Sequence, residues 1–223
     1  GQTLWHEFAH VIHLQLTRNR IPRWLAEGIA VYEARIARPE WDIDLELEFA
    51  KAAERGDLLA IGDLNSGFTR PKSAEQVILS YYQASMVVEF IVEKYGFGAI
   101  RTMLSHYRDD QNTTQVIEDT FDITFEEFDA AFASYTDDIT ADTRLATRFT
   151  VSPGKTWSEE DLRMKIEMQP GSFYAHLHLG RVLMAKEKYK DAIEMLKKAR
   201  ELLPAYVHTG NPYRLLADIY KKT

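Results

Sequence analysis

Cysteine is absent from the 223 residues, so no disulfide, thiolate metal site or cysteine nucleophile is available. No apolar run approaches the ~18–20 residues of a membrane span. Basic residues are in deficit: 27 Lys and Arg against 34 Asp and Glu leave a net charge of −7. That balance argues against a nucleic-acid partner, because such proteins carry a basic face. No block of like charge is long enough to form a tail, and no stretch carries the alternating pattern of a strand. A leader peptide is missing too, but the sequence opens inside a motif. We therefore expect an N-terminally truncated chain, with any leader upstream. Neither the missing cysteine nor the missing leader assigns a compartment.

What remains is an ordinary globular composition, 45% hydrophobic and 27% charged, in a length that fits one large domain or two modest ones. The pattern reads helix after helix, so the expected fold class is all-α. Leu4, Trp5, Phe8, Val11 and Ile12 recur at helical spacing over residues 2–17. Pro22 suits the first turn of a second helix over 22–37, and a third over 42–55 stops at Gly56. Residues 56–72 hold three glycines and a proline and read as a long loop. Ser73 and Gln76 form a capping signature that opens a helix to Tyr95, stopped by Gly96. Another helix is expected near 98–108, and Thr124 with Glu127 opens one to about 137. The Ser-Pro-Gly turn signal within 149–158 sets the expected boundary between a first domain, 1–150, and a second, 151–223.

The chemistry lies at the start of the chain. His6-Glu7-Phe8-Ala9-His10 puts two imidazoles at i and i+4, on one helix face and about 6 Å apart along the axis. That span suits two ligands of one zinc ion, and Glu7 beside them can take a proton from a zinc-activated water. Two histidines on an amphipathic helix are the plain alternative, and a third ligand separates the two. Glu27 follows His10 by 17 residues. A turn at 18–21 would bring the second helix back antiparallel, with Glu27 in its first two turns and facing the histidines. Gly28 removes a side chain where two helix backbones must approach. His13, three residues past His10, reads as a packing or partly exposed histidine. Glu33 could hold a ligand imidazole, but six residues past Glu27 it falls on another face and reads rather as a solvated charge.

His6-Glu7-Phe8-Ala9-His10 followed by Trp24-Leu25-Ala26-Glu27-Gly28-Ile29-Ala30-Val31-Tyr32 resembles the gluzincin branch of zinc metallopeptidases, in the peptidase-MA-like group. The resemblance implies that His6, His10 and Glu27 hold Zn2+ and that Glu7 is the general base in hydrolysis of a peptide or protein substrate. The segment Ser80-Tyr81-Tyr82-Gln83-Ala84-Ser85 is similar to one in which a tyrosine stabilises the oxyanion. By that match Tyr82 is the candidate and Tyr81 its runner-up; packing aromatics are the alternative for both. Two features of such enzymes are missing here: a sheet-bearing lobe before the zinc helix, and an upstream acidic motif that captures a free amine. Relatives of this architecture are commonly bacterial and often exported.

The second part resembles a tetratricopeptide repeat. Leu179, Gly180, Leu183, Tyr189, Ala192, Leu196, Ala199 and Pro204 fall on its consensus offsets, with its small residues where two helices approach. Residues 158–170 would be the second helix of a preceding repeat, and Leu216, Ala217 and Tyr220 the first helix of the next. The resemblance implies a short surface for a protein partner, or a structural cap. A scaffold with a vestigial or inactive peptidase site is the competing reading of the whole chain. Glu7 argues against it, because a dead site has no chemical need for that carboxylate. A third reading is a chain that binds zinc and is inert as it stands.

Overall fold

The computed structural model describes residues 1–42, 45–148 and 157–222, and among these every regular element is helical. The fold is all-α. It divides into two compact units, Gly1–Ile139 and Thr140–Thr223. The division falls inside the helix Phe125–Thr147 (α8). Most of the expected boundary segment, 149–156, lies outside the described residues.

In the first unit α1 spans Gln2–Leu16 and α2 spans Arg23–Ala37. Between them Arg18 and Asn19 take left-handed backbone, with φ of 54° and 62°. This reverses the chain, and the Asn19 N–H closes onto the Leu14 carbonyl at 2.9 Å. The backbone N–H of Trp24, one of the orphan donors of the first turn of α2, donates to Asn65 Oδ1 at 3.0 Å. A residue 41 positions away thus caps the helix that carries Glu27.

Trp24 through Ala30 are buried without interruption. A helix covered on every side is a core helix, and α2 packs against both α1 and α5, Ala74–Tyr95. Ser73 caps α5 as expected, its Oγ accepting from the Gln76 N–H. The glycine at 28 meets α5 rather than α1. A Cβ there would lie 2.6 Å from the Ala84 carbonyl oxygen and 3.1 Å from Val88 Cγ2. Backbone cannot yield as a side-chain tip can. Replacing Gly28 by Ala gains about 1 kcal/mol in helix propensity, against an overpacking penalty of about 1–3 kcal/mol or more. We expect Gly28→Ala to lower Tm by a few degrees, up to about 8 °C, and Gly98→Ala, where nothing lies within 4 Å, to leave it unchanged or raised. A thermal melt showing both variants at the wild-type Tm would refute the close-approach role.

The segment 56–72 is not an open loop. It holds a single 3₁₀ turn, Ile61–Asp63, and a short helix, Ser66–Thr69 (α4), and it buries Ile61 and Leu64. Long-range side chains pin it. Gln83 Nε2 donates to the Leu59 carbonyl at 2.6 Å while Gln83 Oε1 accepts from the Leu59 N–H, and Asp129 Oδ1 accepts from the Ile61 N–H. The third helix, α3, is shorter than expected, Glu46–Arg55, and Pro39–Trp41 forms a separate 3₁₀ turn. Helix α6 (Phe97–Arg108) matches its expectation. Helix α7 (Thr113–Phe121) was not anticipated; Asn112 and Gln115 close a reciprocal cap at its start.

The apolar stripe of α1 does not face the core. Leu4, Trp5, Phe8, Val11, Ile12 and Leu16 are all exposed, and His13 is the buried residue of that helix. Its histidine-bearing side is the one turned inward.

The second unit builds on α9 (Glu159–Met168), α10 (Phe173–Ala185), α11 (Tyr189–Leu202) and α12 (Pro212–Tyr220). Helices α10 and α11 form a hairpin in which a Cβ at Gly180 would meet Leu196 Cδ2 at 2.7 Å. Glu159 ties the start of α9 to the turn of that hairpin, accepting from Lys186 Nζ at 2.9 Å, Arg163 Nη2 at 3.1 Å and Lys188 Nζ at 3.2 Å. These donors, Lys186 first and then Arg163 and Lys188, hold its carboxyl down at about 2. A depressed folded pKa stabilises the fold above the unfolded value of about 4.3, and this contribution is lost as pH falls through about 2. Glu159→Gln should therefore lower Tm at neutral pH and converge on the wild type near pH 2; a constant offset between the two melts across that range would contradict the pairing.

Candidate metal centre

Each sequence-selected ligand reaches the same point. His6 and His10 stand one turn apart on the inward side of α1, and Glu27 rises from the second turn of α2 to meet them. His10 Nε2 lies 3.1 Å from His6 Nε2 and 3.2 Å from Glu27 Oε2, and His6 Nε2 lies 3.4 Å from the same oxygen. A tetrahedral zinc at about 2.0–2.1 Å from each ligand sets its ligand atoms about 3.3–3.4 Å apart. The observed triangle has that size. Two imidazole nitrogens and a carboxylate oxygen are also the donor set zinc takes in open catalytic sites. Among the described residues the three form a group able to hold a metal ion, so the residues fit zinc.

Electrostatics keep the carboxylate ready. Glu27 is 8% exposed. Burial alone would push its carboxyl up, but the His6 hydrogen bond, His10, and Arg23 beside it bring it below the usual carboxylate range. Arg23 Nε sits 3.4 Å from Glu27 Oε1, the oxygen turned away from the histidines. The arginine thereby leaves Oε2 to the two histidines. Its i, i+4 spacing from Glu27 was visible in the sequence, but the pairing to a ligand was not.

Glu7 follows His6 on α1 and is exposed. Tyr82 and Tyr81 are half-buried on α5, and both line a cavity of about 360 Å³ that also contains His6. Tyr82 packs edge-on to Phe49, and Tyr81 to Phe68. The cavity therefore brings both tyrosines to the ligand side and does not separate them.

Of the two readings of His13, the packing one holds: it is 2% exposed, and in addition its Nε2 lies 2.9 Å from His10 Nδ1. Burial, reinforced by His10 beside it, lowers its pKa to about 4, so the ring is neutral at neutral pH. One expectation is corrected: Glu33 is not a solvated charge. It is half-buried, burial raises its carboxyl pKa, and it lines a cavity of about 320 Å³ together with His13. The signal for His13 was its i+3 offset from His10, which puts both on one face.

No curated protein and no solved structure matches the chain. The sequence profile of the Peptidase MA superfamily matches residues 1–137. That span contains α1, α2 and α5, and so every residue of the metal centre. Peptidases of this superfamily are generally zinc-dependent, in keeping with a partly buried His-His-Glu triangle of zinc dimensions. The chain belongs to the Peptidase MA superfamily.

Proposed function

We propose that the chain is a gluzincin-type zinc peptidase acting on peptide or protein substrates. The observation that carries this reading is the convergence of His6 Nε2, His10 Nε2 and Glu27 Oε2 within 3.1–3.4 Å of one another. Zinc, when bound there, supplies Lewis acidity toward a carbonyl and a nucleophile from water near neutral pH. Glu7 takes the proton of the attacking water on its carboxylate and returns it to the leaving amine. Tyr82 donates its hydroxyl to the oxygen that gains charge; in support, it lines the cavity that reaches His6. The same cavity is walled by Val31, Ala34, Trp41 and Ile78, a lining suited to an apolar substrate side chain next to the cleaved bond.

From Ser158 onward we read a tetratricopeptide-like module offering a short surface to a protein partner. The Gly180–Leu196 approach supports it, because such hairpins need a small residue where the helices cross.

The test is metal content and hydrolysis on the purified chain. We expect about one zinc per chain, none in His10→Ala, and cleavage of a casein or peptide-library substrate that stops on chelation and returns with zinc. Tyr82→Phe should slow cleavage more than Tyr81→Phe, with zinc content unchanged in both. Equal zinc in wild type and His10→Ala would end the ligand assignment; a zinc-loaded chain with no cleavage would end the peptidase reading alone.

A further inference from the structure

We propose that His13 is a positioning residue for the metal ligand His10, setting its tautomer and ring angle through the Nε2–Nδ1 hydrogen bond. This rests on the zinc reading of His6, His10 and Glu27.

The proton count follows from the geometry. His10 turns Nε2 toward His6 and Glu27, and a neutral imidazole that gives Nε2 to a metal carries its proton on Nδ1. That Nδ1 faces His13 Nε2 at 2.9 Å. The His10 ring therefore donates and His13 Nε2 accepts, which leaves the His13 proton on its own Nδ1. The rings meet edge-on, with centroids 4.9 Å apart and planes at 89°.

A histidine is a poor choice for this position if packing were its task. His13 is 2% exposed, and its buried Nδ1 has no hydrogen-bond partner among the described residues. Its neighbours around the cavity include Trp5, Ile12, Leu16 and Ile29, among which a leucine would sit without desolvating a polar ring. Among the described residues, the one hydrogen bond of the His13 side chain points at His10. Partners of this kind hold ligating imidazoles in the metal-binding tautomer, and their loss typically lowers metal affinity about 10–100-fold.

The experiment compares wild type, His13→Leu and His13→Gln. Leucine fills the volume without an acceptor, and glutamine carries its amide oxygen near the place of Nε2. Zinc affinity is measured by competition with a chromogenic chelator. The visible spectrum of the cobalt-substituted protein and imidazole nitrogen NMR of the metal-free protein report ligand geometry and tautomer. We expect His13→Leu to bind zinc about 10–100-fold more weakly, with an altered cobalt spectrum, a mixed His10 tautomer and a Tm no lower than wild type. His13→Gln should restore most of the affinity and the spectrum. Wild-type affinity and spectrum in a folded His13→Leu would overturn the positioning role while leaving the zinc reading intact. A Leu variant of low Tm that glutamine rescues in stability but not in affinity would overturn it as well. A wild-type chain that binds no zinc would remove both readings.

Discussion

Glu7→Gln should keep its zinc and lose peptide hydrolysis by about 10²–10⁴-fold, the usual contribution of a positioned general base. The substitution is nearly isosteric and lies on an exposed position of α1, so neither the fold nor the His6–His10–Glu27 triangle is disturbed. Only the ability to take a proton is removed. The pairing of the two readouts matters. Zinc content near wild type with hydrolysis gone assigns Glu7 to the chemical step. Hydrolysis equal to wild type would refute the base role, whatever the metal content.

The second large effect is expected at Glu27. Glu27→Gln replaces a carboxylate by a neutral amide at a buried point 3.2 and 3.4 Å from the two histidine nitrogens. Zinc affinity should fall by more than the ~100-fold ceiling seen when a residue that merely orients a ligand is lost. The substitution also removes the negative charge that Arg23 faces. Arg23 is half in solvent and can turn outward, so the fold survives. Chelator competition at neutral pH measures the change, with circular dichroism confirming helix content. An affinity within a few-fold of wild type would show that the carboxylate is not a ligand and that its approach to the histidines is an ordinary ion pair. Comparison with His13→Leu then ranks ligand against positioning residue on one scale.

Much of the centre was legible before any coordinates. The i, i+4 histidines, the interval to Glu27 and the turn that reverses the chain are local or nearly local properties. Backbone geometry within one helix and one reversal is enough to bring those atoms together. The same locality explains the helices read from caps, such as Ser73 with Gln76 and Thr124 with Glu127. Helix α7 shows the limit of that approach: its Asn112–Gln115 cap is as well formed, yet the β-branched residues Thr113, Thr114, Val116 and Ile117 weaken a reading from propensity.

The sequence by itself determined the all-α class, and it picked out His6, His10 and Glu27 as the candidate group with the helices that carry them, because spacing along a helix converts directly into direction. Only the tertiary structure decided the rest. It turned the polar side of α1 inward and left its apolar stripe exposed, a choice that periodicity cannot make, since a period names two faces but not which one is covered. Gly28 was paired with the Ala84 backbone of α5, and residues 56–72 were pinned through Asn65, Gln83 and Asp129, contacts that join residues 24 to 68 positions apart. His13, which its place in the sequence marks only as packing or partly exposed, was brought within hydrogen-bond distance of His10. In each case a side chain's meaning was set by what came to stand opposite it in space.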